Sequence, residues 1–292
     1  MFVKLERCPI CDNAKFQNKL ICMDHAVSGE SFAIVKCIQC ELLITNPRPD
    51  PDSLPNYYDS KNYISHTGKG NNLVNFLYKI IRRITIRGKV KLIGNLSTGG
   101  KKMLLDIGCG TGNFLDACGD RGWNIHGVEP NEKARKIAEN LTGIEIFPDV
   151  SSLNSKFDII TLWHVLEHFE DLDEIMKELN RLLHRNGRLV IAVPNHRSLD
   201  QNLYKEFWAA WDVPRHMFHF STETIRKLVR KYQMKIEKVL PMKWDAYYVS
   251  MLSEKYIHGH NNYAKSLISG YKSNSYGAKT GEYSSMIFII KK

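Results

Sequence analysis

The sequence predicts an α/β protein, a doubly wound and mostly parallel sheet preceded by a small cysteine-punctuated module. Three observations carry this. From Lys102 onward, short apolar strand patterns alternate with amphipathic helix patterns, the signature of parallel strands joined by crossover helices. A glycine-rich turn joins the first of these strands to its helix. Two Cys-x-x-Cys pairs fall within the first 40 residues. The 292 residues suffice for one large domain plus a small one, and 43% hydrophobic with 25% charged residues fits a globular core.

Taken in order, residues 1–46 form the cysteine module. Residues 47–100 form a proline-rich arm (47–60) and then a basic helical lid, and residues 101–292 form the large α/β domain. In the lid, Leu73, Leu77, Ile80 and Ile84 recur at helical spacing from Asn72 to about Ile93. Strands follow at Lys102–Ile107, Asn124–Glu129, Ile144–Phe147, Phe157–Leu162, Arg188–Val193, Lys235–Leu240 and Ser285–Ile290. Helices fall at about Gly112–Arg121, Asn131–Leu141 with Asn131 as N-cap, and Asp171–Leu183. Another begins at Ser221, with Glu223 in its first turn, and runs to about Tyr232. Residues 242–284 read as an insertion rich in aromatic and polar residues.

The first residues mix Lys4, Glu6 and Arg7 among apolar positions, and no apolar run approaches a membrane span; a cytoplasmic protein is expected. Lysine and arginine total 41 against 31 acidic residues, a net +10. Between Asp59 and Asp106 no acidic residue occurs, yet ten basic ones do: Lys61, Lys69, Lys79, Arg82, Arg83, Arg87, Lys89, Lys91, Lys101 and Lys102. That stripe carries the whole excess. It suits a phosphorylated metabolite, a nucleic acid or an acidic membrane surface, and equally a solvated helix face.

The segment Leu104–Phe114 (LLDIGCGTGNF) runs an apolar strand into a turn with Gly108, Cys109, Gly110 and Gly112. There the backbone can approach a ligand where a Cβ would collide. Glu129 follows Asp106 by 23 residues, at the end of the next strand, where a carboxylate can accept from both hydroxyls of a ribose. The glycine spacing is not that of a dinucleotide fingerprint. D-I-G-C-G-T-G resembles motif I of the class I S-adenosylmethionine (SAM) methyltransferases. The resemblance covers about residues 100–292 and implies a seven-stranded sheet whose last strand lies antiparallel between strands five and six. It also implies SAM as cofactor, with Asp106 near the methionine end, the glycine loop passing beneath, and Glu129, followed by Pro130, holding the ribose. Asp149 is implied near the adenine, and Trp163 along the cofactor.

Cys8-Pro9-Ile10-Cys11 and Cys37-Ile38-Gln39-Cys40, with 25 residues between the pairs, supply four thiolates, a closed tetrahedral set for structural zinc. The spacer leaves room for a small sheet between the knuckles. Redox-active pairs or unliganded thiols are the alternatives. Cys22, Cys109 and Cys118 read as packing residues.

The fourth strand ends in Trp163-His164-Val165-Leu166-Glu167-His168, at the edge of a doubly wound sheet that faces the ligand crevice. His164, Glu167 and His168 suit acid–base chemistry or substrate contact there, or hydrogen-bonded structural roles in the turn. After the fifth strand, Trp208–Ser221 crowds two tryptophans, two histidines and Arg215 into one loop. Both stretches are similar to a group of sugar and polysaccharide-biosynthesis methyltransferases, some of which carry an N-terminal zinc module and use a histidine here as general base. The resemblance implies His216 as base, with His168 toward the acceptor. That group has an acidic residue before the base, where this chain has Arg215, a side chain able to grip an acceptor's phosphate or carboxylate. His219 reads as buried packing. Tyr57, Tyr58 and Tyr63 are arm residues able to cover the cofactor or touch the acceptor, with ordinary packing the favoured reading.

The expected function is SAM-dependent methyl transfer to a small anionic acceptor, such as a nucleotide-linked sugar or a related polysaccharide or secondary-metabolite precursor. An RNA methyltransferase using the basic 61–102 segment is one alternative. A non-catalytic SAM-binding scaffold is another.

Overall fold

A computed structural model describes residues 1–58, 73–96 and 102–292, with side chains of the helix at 73–96 described from Arg82 onward. Tyr63, Lys61, Lys69 and Lys101, the side chain of Lys79 and the lid's apolar face up to Ile81 lie outside the described residues.

The chain opens with strands β1 (Phe2–Val3), β2 (Phe16–Met23), β3 (Ser31–Cys37), β4 (Leu43–Thr45) and β5 (Arg48–Pro49). Helix α1 (Leu73–Leu96) precedes the alternating series. That series runs β6 (Met103–Ile107), α2 (Asn113–Gly119), β7 (Asn124–Val128), α3 (Glu132–Thr142), β8 (Ile146–Phe147), β9 (Phe157–Trp163), α4 (Leu172–Leu182), β10 (Leu183–Pro194) and α5 (Leu199–Tyr204). It closes with β11 (Phe218–His219), α6 (Thr222–Lys231), β12 (Lys235–Pro241), α7 (Asp245–His258), α8 (Tyr263–Thr280) and β13 (Ser285–Lys291).

Seven strands form one sheet in the order β12-β13-β10-β9-β6-β7-β8. β13 runs antiparallel to both neighbours, β10 and β12, as the resemblance implies, while β10, β9, β6, β7 and β8 pair in parallel. Central strands covered on both faces are predominantly apolar. Accordingly Leu104, Leu105, Ile160, Leu162, Val190, Ile191 and Ala192 are fully buried.

Local chemistry sets the helix starts. Asn131 accepts from the Ala134 amide and Asp171 from the Asp173 and Glu174 amides, caps worth about 1 kcal/mol each. Ser221 caps α6 in a reciprocal box completed by Thr224, while Glu223 occupies the first turn without closing the box. The insertion at 242–284 is two packed helices, α7 and α8.

The sheet expected between the cysteine pairs is there, as the hairpin of β2 and β3. It extends to β4 and then to a strand from the far side of the chain, in the order β11-β4-β3-β2. β11 pairs Phe218 with Ile44 and His219 with Leu43, so the loop after β10 is stitched into the N-terminal module. Thr45 reinforces the seam: its amide donates to the Met217 carbonyl and its hydroxyl to the His216 carbonyl. β5 pairs with β1, and Arg48 of this arm donates to the Glu170 carbonyl while stacking on Phe218. The C-terminal half of α1 packs on the large domain, burying Ile93 beside Leu104 and Phe114. No helix among the described residues is long and apolar enough to cross a membrane.

Candidate functional site

The carboxyl ends of β6, β7 and β9 meet at the glycine loop. Gly108, Gly110 and Gly112 all lie in the left-handed region, at φ 68°, 56° and 78°. The Gly108 and Cys109 amides donate to the Val128 carbonyl, which folds the loop back over β7. Glu129, buried at the end of β7, accepts from the Gly110 amide at 2.8 Å and the Asn131 amide at 2.9 Å. Each carboxylate oxygen keeps a second lone pair for a hydroxyl. Neighbouring Pro130 is exposed, and its carbonyl accepts from Arg135. Asp149 is exposed just past β8, its carboxylate bonded to Ser151.

Asp106 is fully buried and accepts from the Thr161 hydroxyl at 2.5 Å. Burial raises its carboxyl to about 7, against the opposing pull of Thr161 and Lys89. Lys89 of α1 lies 4.3 Å from the centre of the Trp163 ring, and burial lowers its ammonium despite nearby Asp106 and Asp245. Trp163 packs edge-on against Phe114, and its buried indole N–H has no partner among the described residues. A cradle results: an unmatched donor, a carboxylate at the strand end, and open space above Gly110, where an added Cβ would meet nothing among the described residues within 4 Å. These residues fit SAM, a cofactor carrying an ammonium, a ribose and an aromatic base. Cys109 and Cys118 have thiols pushed up by burial, so neither is a ready nucleophile.

The second half of the site follows β9. His164 takes a left-handed backbone (φ 58°), held between two acids. Its Nε2 is 2.8 Å from Asp245 and its Nδ1 is 3.3 Å from Glu167. Burial pulls its pKa down, but Asp245 and Glu167 outweigh that and raise it to about 10. His168 Nδ1 lies 3.1 Å from the Arg215 carbonyl and 3.2 Å from the Tyr58 hydroxyl. A carbonyl can only accept, so Nδ1 carries the proton. Burial, and then His216, lowers His168 to about 4, so this imidazole is neutral. His216 Nδ1 likewise donates to the Ala210 carbonyl at 2.9 Å. The two rings meet edge to face, 4.6 Å between centres. The structure thus brings His168, His216, Glu167 and Tyr58 together, and holds His219 buried behind them at 3.0 Å from the Thr45 hydroxyl.

Arg215 overturns the anion-gripping role considered for it. It is 2% exposed, and all three of its nitrogens are engaged within the chain. Nε meets Asp212, Nη2 meets Asp24 and Asp212, and Nη1 donates to the Tyr57 carbonyl. It is an internal clasp between the cysteine module, the arm and the histidine loop. Sequence reasoning missed Thr161, Asp212 and Asp245. Asp212 stands within the aromatic loop and Lys89 within the basic stripe, but no pattern in 242–284 singles out Asp245.

The four candidate zinc cysteines converge at the module's base. Cys8 and Cys40 sulfurs are 3.3 Å apart, Cys11 and Cys37 sulfurs 3.5 Å, and all four lie within 4.8 Å of one another. These gaps are far too long for disulfides and close to the roughly 3.8 Å edges of a tetrahedron with 2.3 Å zinc–sulfur bonds. The donor set fits zinc.

A doubly wound seven-stranded sheet with one antiparallel strand, and a glycine loop between an acidic strand end and a spaced glutamate, define the class I SAM-dependent methyltransferases. The chain belongs to that family: a methyltransferase-domain family model matches residues 81–239, more than half of its length. Among curated relatives, a ubiquinone biosynthesis O-methyltransferase of Pelagibacter ubique is 31% identical over 124 residues, 40% of this chain and 49% of that protein. An uncharacterized methyltransferase of Geobacillus kaustophilus is 28% identical over 118 residues, 38% of this chain and 55% of that one. The chain thus spans about half the length of these relatives. Among solved structures, magnesium protoporphyrin IX methyltransferase of Synechocystis with bound SAH superposes with a TM-score of 0.54 at 17% identity, covering 83% of this chain and 100% of that one. A cyclopropane synthase of Mycobacterium tuberculosis gives 0.50 at 15%, covering 70% and 83%. At those identities the likeness is one of fold.

Proposed function

We propose that this protein transfers the methyl group of SAM to a small anionic acceptor, such as a nucleotide-linked sugar or a related polysaccharide or secondary-metabolite precursor. The carrying observation is the paired arrangement of a cofactor cradle and two histidines, His168 after β9 and His216 in the loop before β11, whose Nδ1 protons are committed to backbone carbonyls. SAM supplies a methyl already activated on a sulfonium. Gly108–Gly112 would carry the cofactor, Glu129 would hold its ribose, Asp106 would face its ammonium, and Trp163 would line it. Asp149 would border the adenine, with Pro130 beside the ribose.

On the acceptor side, His216 and His168 present Nε2 lone pairs, the atoms able to take a proton from a hydroxyl or an acidic carbon. With Arg215 spent internally, an anionic acceptor draws its positive charge from α1. There Arg82 reaches Thr111 of the glycine loop at 3.3 Å and Lys89 stands over Trp163. The cysteine set would hold a structural zinc, closed to substrate because all four positions are protein ligands. The O-methyltransferases of ubiquinone biosynthesis among the relatives support oxygen as one acceptor atom.

The test is transfer from radiolabelled SAM into extract of cells lacking the protein, with products sorted by size and ribonuclease sensitivity. Label in small, ribonuclease-resistant anionic material is expected. Label in large material destroyed by ribonuclease would move the acceptor to RNA, and absence of label would favour a non-catalytic SAM binder. In the same assay, His216→Ala is expected to cut turnover at least a hundredfold with SAM affinity nearly unchanged; the reverse pattern would remove His216 from the chemistry.

A further inference from the structure

We propose that Glu167, His168 and His216 form a binding site for a divalent transition-metal ion on the acceptor side, separate from the cysteine site. One ligand atom from each lies within 4.8 Å of the other two, and His216 Nε2 is 4.0 Å from the nearer Glu167 oxygen. Ligand atoms around an ion with bonds of about 2.0–2.2 Å stand roughly 3.0–3.6 Å apart, so the three need to close by roughly an ångström.

Three features make this a prepared donor set. First, both imidazoles are oriented as metal-binding imidazoles are, with one ring N–H given to a backbone carbonyl so that the other nitrogen keeps its lone pair. His168 gives its Nδ1 proton to Arg215 and His216 gives its own to Ala210. Secondly, Glu167 is 1% exposed and, among the described residues, neither of its oxygens has a well-aligned hydrogen-bond partner. His164, at 3.3 Å, is a charge partner without hydrogen-bond alignment. A buried carboxylate in this position ordinarily carries hydrogen bonds or a metal. Thirdly, charge is unbalanced. Asp24, Asp212, Glu167 and Asp245 share, by ion pairs among the described residues, the guanidinium of Arg215 and the imidazoles of His164 and His216. Asp212 Oδ2, 3.8 Å from His216 Nε2 while accepting from Arg215 Nε, borders the site.

Two imidazoles and one carboxylate favour iron, cobalt, nickel or zinc over magnesium, and three protein ligands leave the coordination shell open. An oxygen of the acceptor can enter that open position. The site then becomes a means of anchoring the acceptor; an ion there would occupy the Nε2 lone pairs, so proton removal by His216 belongs to the ion-free chain. This use of the ion rests on the acceptor-side placement proposed above; its binding does not.

The experiment titrates the full chain, with zinc retained in the cysteine set and loosely held metal removed by a chelator, with Co2+ alone. Visible absorption is expected to saturate at one Co2+ per chain, without the intense near-ultraviolet band of cobalt–thiolate bonding. Glu167→Gln and His168→Gln, each shown by circular dichroism and SAM binding to be folded, are expected to weaken that binding at least tenfold. A thiolate band alone, no binding by the wild-type chain, or equal binding in both variants would overturn the site. Methyl transfer is measured on the same samples. Cobalt binding without transfer counts against the proposed reaction and for the site, and transfer without cobalt binding does the opposite.

Discussion

Replacing Gly112 and Gly110 singly with alanine separates two demands placed on the same loop. Both residues are left-handed, at φ 78° and 56°, so each alanine meets roughly 1–2 kcal/mol of backbone strain. They differ in what surrounds them. An added Cβ on Gly112 would stand 3.0 Å from both the Cα and the Cβ of Ala138 and 3.3 Å from Thr142, all on α3. Two of these atoms move only if the helix moves, so about 1–3 kcal/mol of overpacking is added. At Gly110 nothing among the described residues lies within 4 Å of an added Cβ. Gly112→Ala is therefore expected to lose about 2–5 kcal/mol of stability and Gly110→Ala only about 1–2. Urea unfolding followed by circular dichroism reads the difference as a larger shift in midpoint for Gly112→Ala. The affinities should rank oppositely among folded molecules: Gly110→Ala places a methyl in the space assigned to the cofactor and should weaken SAM binding more. Equal losses of stability, or a larger loss at Gly110, would refute the packing argument.

Arg215→Met leaves Asp24 and Asp212 without their shared cation, and a stability loss of about 3–5 kcal/mol is expected by chemical denaturation. A loss under about 1 kcal/mol would mean that the clasp carries little. The Asp106 carboxyl, raised to about 7, must be ionised to meet the cofactor's ammonium. SAM affinity should accordingly fall as pH drops through 7, and Thr161→Val, which removes a hydrogen bond to the ionised form, should move that midpoint upward in calorimetric titrations. The folded His164 pKa, about 10, exceeds its ordinary value of 6.5. Its contribution to stability is thus fully present below 6.5 and lost as pH rises toward 10, a slope that Asp245→Asn should flatten. Freshly purified protein should contain one zinc per chain by mass spectrometry, and stripping it should melt the β2–β3 hairpin. A zinc content far below one would remove the metal from the module.

The α/β domain was legible because its strands are buried on both faces, which forces largely apolar runs such as Met103–Ile107, broken only by Asp106, and residues 189–193. The glycine loop was legible for a related reason: few sequences satisfy three positive-φ positions and a spaced carboxylate at once. The histidine-rich turn was visible as a cluster, but not its wiring. Arg215 next to His216 suggests a surface anion grip, and only the approach of Asp24, 191 residues away in sequence, turns it inward. The β4–β11 pairing was hidden because two residues, Phe218 and His219, carry no strand pattern of their own. The region 242–284 stayed opaque because α7 and α8 bury small and polar side chains, Ser250, Ser253, Ser266 and Ser273 among them, which blurs the helical stripe.

The pairing of β4 with β11 also bears on how such a protein can be inherited. β3 ends on Cys37, β4 follows Cys40, and β4 holds His216 through the Thr45 hydroxyl, and Met217 to His219 by backbone pairing. The cysteine module would therefore form one wall of the proposed acceptor site. An exchange of this module between related genes would bring a new set of residues against the histidines, and a chain cut back to residues 101–292 would keep the cofactor cradle while losing the strand that fixes its chemistry. In this lineage the small module and the specificity of the large domain should change together, as one heritable unit.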